Sequence, residues 1–175
     1  MARRSSREQM IRRLAAAEGY LELDLPQKAM EVLESRPSWG TLQFEASFLQ
    51  GEALRKLGLF REALAPLERA AALRPGHVGA AIALGWCYKR THRLAQAIDA
   101  LERAERAHPD EALLHYNLAC YWSLAGNSGR ALVELGMALD LDADYRYQAP
   151  REPDFDAIRN HPEFDRLIHM STPIV

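Results

Sequence analysis

Residues 84–98 read LGWCYKRTHRLAQAI, a stretch in which chemically active side chains are concentrated. Within seven positions lie a thiol, an imidazole, two cations and two large aromatic rings: Trp86, Cys87, Tyr88, Lys89, Arg90 and His92. A thiol beside an imidazole is the composition of a nucleophilic pair, because a nearby base activates the thiol. Aromatic rings flanked by cations are typical of protein-binding surfaces. The elements that carry these residues therefore decide which chemistry applies.

The other chemistry-bearing residues do not converge on a catalytic site. His115 precedes Cys120 by five residues, a spacing that does not place the two on one face of a helix. Asp140, Asp142 and Asp144 lack the glycine and the closing glutamate of a helix-loop-helix calcium site. We therefore expect a protein that is not an enzyme, with no catalytic residue, no metal site and no cofactor. An enzyme built on Cys120 remains the weakest alternative.

Composition predicts one soluble domain. The chain has 175 residues, 48% of them hydrophobic, and a formal charge of −2, too small to indicate nucleic-acid binding by bulk electrostatics. No apolar run approaches the roughly 18 residues of a membrane span, and no signal-peptide core follows the arginine-rich start. Cys87 and Cys120 are far apart in the sequence and have no Cys-x-x-Cys spacing, which favours reduced thiols. We expect a cytoplasmic protein that binds neither nucleic acid nor membrane.

An internal repeat with a period of about 34 residues runs through the chain, and it predicts the architecture. Four alanines recur at this interval, each with a leucine four residues later: Ala29, Ala63, Ala97 and Ala131, with Leu33, Leu67, Leu101 and Leu135. Twelve residues before each alanine the side chain is small, at Ala17, Gly51, Gly85 and Ala119. A small residue lets two helices approach closely, so each repeat is predicted to be a packed pair of helices.

These residues resemble the tetratricopeptide repeat family. In the third copy the matching motifs are Leu84-Gly85-x2-Tyr88, Ala97-x3-Leu101-x2-Ala104 and Pro109. The resemblance implies an all-α, right-handed superhelical solenoid of about four helix pairs. We place the repeats within residues 1–145, at about 10–43, 44–77, 78–111 and 112–145.

The end of the chain is similar to a narrower group of bacterial chains. Residues 115–126, HYNLACYWSLAG, resemble an end-of-group N-L-A-C-Y repeat, and residues 151–168 resemble a D-F-x-x-I-R-x-x-P-x-F tail. A stack of helix pairs leaves an apolar face at its end that another segment must cover. Residues 146–175 are therefore predicted to form a C-terminal cap and tail, with Phe155, Ile158 and Phe164 facing the last repeat.

In the family that this chain resembles, the first helix of each pair lines a concave groove. At about 100° per residue, Trp86, Lys89 and Arg90 lie away from the packing face of their helix, so they are assigned to the groove. Moving by one repeat completes the predicted peptide-binding set: Phe48, Glu52, Arg55, Lys56, Trp86, Lys89, Arg90, Tyr116 and Asn117. The resemblance implies a non-catalytic adaptor, scaffold or chaperone-like module that binds a protein or peptide segment. Cations beside aromatic rings favour a segment with acidic and apolar residues.

Self-association is the main alternative. In that hypothesis the solenoid ends or the groove meet a second copy, giving a homodimer, with tail residues 171–175 in the groove of the partner.

Overall fold

The computed structural model describes residues 2–169, with side chains from residue 6 onward, so the tail invoked for self-association lies outside the described residues. The predicted all-α fold is confirmed, with no β-strand among residues 2–169. The helices are α1 (Ala2–Glu22), α2 (Pro26–Glu34), α3 (Gln43–Lys56), α4 (Phe60–Leu73), α5 (Val78–Arg90), α6 (Leu94–Glu105), α7 (Ala112–Leu124), α8 (Ser128–Leu141), α9 (Tyr145–Gln148) and α10 (Pro162–His169). Contacts divide the chain into two units, Met1–His92 and Arg93–Val175.

The turn inside each repeat has the same backbone conformation. Asp24, Gly58, His92 and Gly126 occupy equivalent positions of successive repeats, and all have positive φ, at 55°, 76°, 61° and 76°. A left-handed residue ends a helix by turning the next amides back onto the last carbonyls, as when Leu59 N donates to Leu54 O at 2.9 Å. Glycine, aspartate and histidine tolerate this conformation better than most residues. His92 therefore has a structural role in the turn.

The first unit contains α1 to α5, and small residues determine how closely its helices approach. At Gly51 in α3, an added Cβ would come closer than 3.0 Å to the Leu67 side chain of α4, which is fully buried. Ala17 of α1 and Ala29 of α2 are likewise fully buried. After α2, the chain is anchored by Trp39, whose Nε1 donates to Leu33 O at 3.2 Å. The contact with Leu67 fixes which face of α3 is buried.

A buried polar pair joins α7 to α8 in the second unit. His115 Nδ1 lies 2.8 Å from Glu134 Oε2, and His115 Nε2 lies 2.7 Å from Pro109 O. Both neighbouring atoms accept hydrogen bonds, so the ring satisfies both of them only when it is doubly protonated. Burial alone would lower the pKa of His115, but the bonds to Glu134 and Pro109 and the charge of Glu134 outweigh it, so this pKa is raised.

The predicted C-terminal cap is confirmed. After α8, the chain forms α9, two 3-10 turns (Ala149–Arg151 and Pro153–Phe155) and α10. Phe155, Ile158 and Phe164 are at most 4% exposed, as expected from their spacing. Leu167 of α10 packs against α8 at Gly136, where an added Cβ would lie 3.6 Å from it. The cap thus covers the apolar end of the second unit.

None of the helices described within residues 2–169 combines the length and the apolarity that crossing a bilayer requires.

Substituting Gly51 tests the close approach of α3 and α4. Gly51→Ala is expected to destabilise the protein by about 1–2 kcal/mol, because the overlap with Leu67 costs more than the helix propensity that alanine adds. Gly19→Ala in α1 is the matched control, since nothing lies within 4 Å of its added Cβ. That change should instead stabilise the fold by roughly 0.5–1 kcal/mol. Urea unfolding measures both, and equal effects of the two substitutions would contradict the packing described.

Titration of His115 should make stability depend on pH. Its folded-state pKa lies above the ordinary 6.5, so the stabilisation is complete below that value and is lost as pH rises through the raised pKa. His115→Gln should remove this loss, while His108→Gln, at an exposed position, should retain it. Urea midpoints measured between about pH 6 and pH 9 give the comparison. The same slope in wild type and His115→Gln would show that the pair does not titrate as described.

Candidate functional site

Five side chains of the first unit form one group, here called the Trp86 cluster: Glu52, Arg55, Phe60, Trp86 and Arg90. The Arg55 guanidinium lies 5.4 Å from the centre of the Trp86 ring, and the Arg90 guanidinium lies 5.5 Å from it. The Phe60 ring meets Trp86 edge-on, with centroids 4.9 Å apart, and Arg90 lies 5.0 Å from the Phe60 centroid. Such cation–π contacts are each worth about 0.5–1 kcal/mol at exposed sites.

The repeat positions these residues. Trp86 and Arg90 are four residues apart on α5, so they lie one turn apart on the same face. Arg55 is in the last turn of α3, which packs beside α5. The left-handed Gly58 then reverses the chain, and Phe60 begins α4 next to the same helix ends. Trp86 is half-buried and Arg90 is exposed, so a partner can reach this group.

Arg90 differs from Arg55 and Lys56, which are each paired with a carboxylate. The Arg55 guanidinium donates to both Glu52 oxygens, at 2.9 and 2.8 Å, and this bond raises the pKa of Arg55. Lys56 is paired with Asp24 at 2.8 Å, which lowers the pKa of Asp24. No carboxylate among the described side chains pairs with Arg90. A guanidinium without a counter-ion beside two aromatic rings suits an acidic group that is adjacent to an apolar one.

Phe48, a predicted site residue, belongs to a different aromatic group of the same unit. Its ring lies 6.1 Å from Phe44 and 5.5 Å from His77, and it is half-buried. His77 begins α5 by accepting a hydrogen bond from Ala80 N at 3.2 Å. Within the described part of the chain, no ring contact joins Phe48 to Trp86. Lys89, also predicted, is half-buried on α5.

The structure corrects the placement of Tyr116 in the second unit. Its ring stacks on Tyr145 at 4.3 Å and meets Phe155 edge-on at 5.6 Å, so the cap covers it and only 8% is exposed. Burial, followed by the neighbouring Cys120 and Glu152, raises the pKa of Tyr116. Asn117 is half-buried, and its Nδ2 donates to Leu113 O at 2.8 Å. Tyr116 is therefore not available to a partner.

The thiols lie in surroundings that do not favour catalysis. Cys87 and Cys120 are both buried, and burial raises the pKa of Cys87 to about 11, so its thiol stays protonated at neutral pH. Two groups hold three candidate metal ligands each: Glu105, His115 and Glu134, and Cys120, Glu152 and Asp154. In the first group, hydrogen bonds already occupy both ring nitrogens of His115. Among the described residues, the Trp86 cluster therefore remains the candidate binding site.

The sequence did not predict two residues of these aromatic contacts, Phe60 beside Trp86 and Tyr145 beside Tyr116. Phe60 was overlooked because the predicted lining came only from first helices, whereas Phe60 begins a second helix. The residue type could have indicated Phe60, because this position is aromatic only in the second repeat. The equivalent positions of the other repeats hold Pro26, Leu94 and Ser128. Tyr145 was overlooked because no pattern in the sequence links the start of the cap to Tyr116.

Comparisons with known proteins agree with this architecture. Residues 54–119 match the model of the tetratricopeptide repeat family. A search of curated proteins finds no match. Among solved structures, MamA (residues 41 to the end) from Desulfovibrio magneticus RS-1 is 20% identical, with 91% of this chain and 93% of that chain covered and a TM-score of 0.70.

Another structure of MamA is 22% identical, covers 79% of this chain and 81% of its own, and has a TM-score of 0.71. YrrB, described as a TPR protein with an unusual peptide-binding site, is 21% identical, with 85% and 87% covered and a TM-score of 0.68. At these identities the likeness establishes the fold. The chain thus carries the tetratricopeptide sequence signature over residues 54–119 and has the fold of a tetratricopeptide-repeat solenoid.

Proposed function

We propose that this protein is a non-catalytic interaction module, and that its Trp86 cluster binds a protein or peptide segment carrying acidic and apolar side chains. The observation that carries the proposal is the position of Arg90, an exposed cation that lies beside the half-buried Trp86 and Phe60 and pairs with no carboxylate of residues 6–169. An apolar side chain of the partner packs on the rings, and a neighbouring carboxylate pairs with Arg90. Rim cations of this kind contribute to specificity and association rate more than to raw affinity.

Phe48, Lys56 and Lys89 remain candidates for secondary contacts in the first unit, and Asn117, in the second unit, stays a separate prediction. Phe48 presents a partly accessible ring, whereas Lys56 is already engaged with Asp24. Tyr116 is left out because the cap covers it. The adaptor or scaffold role, a cytoplasmic location and the end-of-group character of the last repeat are parts of the same proposal. Two buried, reduced thiols suit a reducing compartment.

Selection from a library of displayed random peptides tests the proposal. Wild type should enrich peptides with Asp or Glu close to an aromatic or aliphatic residue. Arg90→Glu should shift the enriched charge to Lys and Arg, because the substitution reverses the local field. Trp86→Ala should abolish enrichment while the helical circular-dichroism signal survives.

Arg69→Glu is the matched control, because Arg69 is exposed on α4 and the change alters the net charge equally. It should leave the enriched sequences unchanged. Peptides enriched equally by wild type and by both Trp86→Ala and Arg90→Glu would rule out this surface as the binding site.

Self-association is the second candidate, and an apolar stripe on α8 favours it. Val133, Met137 and Leu141 are 57%, 46% and 44% exposed and are spaced four residues apart, so they lie along one face. Exposed rows of large apolar residues often mark protein interfaces. In this candidate function, two copies bury these stripes against each other.

Replacing the stripe tests this candidate. Val133→Glu with Met137→Glu is expected to weaken dimerisation at least tenfold, because carboxylates would have to be buried in the interface. Leu73→Glu is the control, since Leu73 is 49% exposed on α4. Sedimentation equilibrium measures the dissociation constant, and a wild type that stays monomeric at about 100 μM would exclude this candidate.

A further inference from the structure

The C-terminal cap places an acidic and aromatic segment against α7 of the second unit. In the 3-10 turn Pro153–Phe155, the Phe155 ring is fully buried and meets both Tyr116 and Phe164, at 5.6 and 5.8 Å. Arg159 holds the segment by donating to Glu152 O at 2.8 Å and to Asp156 Oδ1 at 2.6 Å. Residues 152–155 thus form a short, well-anchored segment that inserts one aromatic side chain.

The same segment brings two carboxylates to the surface of α7. The Cys120 sulfur and carboxylate oxygens of Glu152 and Asp154 all lie within 4.8 Å of one another. The Glu152 side chain also accepts a hydrogen bond from Asp154 N at 3.2 Å, which keeps both acids on one side of the turn. The order acid, proline, acid, phenylalanine therefore presents two acids next to one apolar anchor.

Residues 152–155 cover one face of α7. One repeat earlier, the corresponding face is the face of α5 that carries Trp86. Tyr116 and Cys120 on α7 lie one repeat after Ile82 and Trp86 on α5. By the 34-residue repeat of the sequence, Trp86 occupies on α5 the position that Cys120 occupies on α7, where α7 meets Glu152 and Asp154. The chain itself therefore shows what kind of segment this face of a first helix accepts.

The two faces differ in charge, and this difference favours the binding of an acidic segment to the first unit. One turn beyond Cys120, α7 carries Leu124, whereas one turn beyond Trp86, α5 carries Arg90. On α7 the two acids lie beside the Cys120 thiol, whereas the equivalent position on α5 holds the Trp86 ring with the Arg90 guanidinium over it, and no described carboxylate pairs with Arg90. Charge-assisted hydrogen bonds are stronger than neutral ones, so the same kind of segment is better matched to α5.

We propose that the Trp86 cluster binds, from a second molecule, a segment of the type acid–Pro–acid–Phe, for which residues 152–155 are the internal template. This inference rests on the proposed function and specifies its ligand. The phenylalanine packs at Ile82, the counterpart of Tyr116 and one turn before Trp86, and one of the acids, placed beside Trp86, pairs with Arg90. The proline limits the conformations that the free segment can adopt, which lowers the entropy cost of binding.

A synthetic peptide with the sequence of residues 151–160, REPDFDAIRN, acetylated and amidated, is the probe. Isothermal titration calorimetry with the full chain is expected to show binding. Replacing the peptide phenylalanine by alanine, or both acids at 152 and 154 by their amides, should weaken binding at least tenfold. Trp86→Ala and Arg90→Glu in the protein should each do the same, and Arg69→Glu should change affinity less than twofold.

The outcomes separate the two proposals. If peptides selected by display bind through Arg90 but REPDFDAIRN binds no better than its scrambled sequence, the inference is overturned and the proposed function stands. If Arg69→Glu weakens binding of REPDFDAIRN as much as Arg90→Glu, the attraction is non-specific and the inference is again overturned. If neither REPDFDAIRN nor any displayed peptide binds, the proposed function is overturned together with the inference.

Discussion

The architecture depends on a steric constraint between paired helices: the backbones of α3 and α4 approach too closely for a large side chain between them. At Gly51 even a single Cβ would overlap Leu67, and a left-handed residue at Asp24, Gly58, His92 or Gly126 reverses the chain in each repeat. Because both features recur in phase, they fix which face of each first helix is buried. The side chains left on the other face are then free to vary with function.

The two units differ in what surrounds the aromatic side chain on this face. In the second unit, Tyr116 is covered by the chain's own cap, through Tyr145 and Phe155. In the first unit, Trp86 is half-buried beside Arg55, which is paired with Glu52, and beside Arg90, with which no described carboxylate pairs. Packing alone would explain a buried tryptophan, but it does not explain an exposed guanidinium beside it. This asymmetry in charge is the physical basis for proposing that recognition takes place in the first unit.

The fold was predictable because its cause is periodic: the constant repeat interval and the small residues at Gly51 and Ala119 specify packed helix pairs without reference to distant residues. The burial of Phe155 and Phe164 was predictable for the same local reason. The burial of Tyr116 was not predictable, because it depends on where the cap, which does not follow the repeat, packs against α7. The approach of Phe60 to Trp86 was also missed, since the two residues lie on different helices and outside the repeat pattern.

The most direct test of the central claim is ¹⁹F NMR of the protein labelled with 5-fluorotryptophan and titrated with a display-selected acidic peptide. The chain has three tryptophans, so Trp39 and Trp122 serve as internal references for Trp86. The account predicts that the Trp86 resonance shifts with saturation while the other two stay in place. A Trp86 resonance that does not move while the peptide binds, or one that moves no more than that of Trp122, would contradict it.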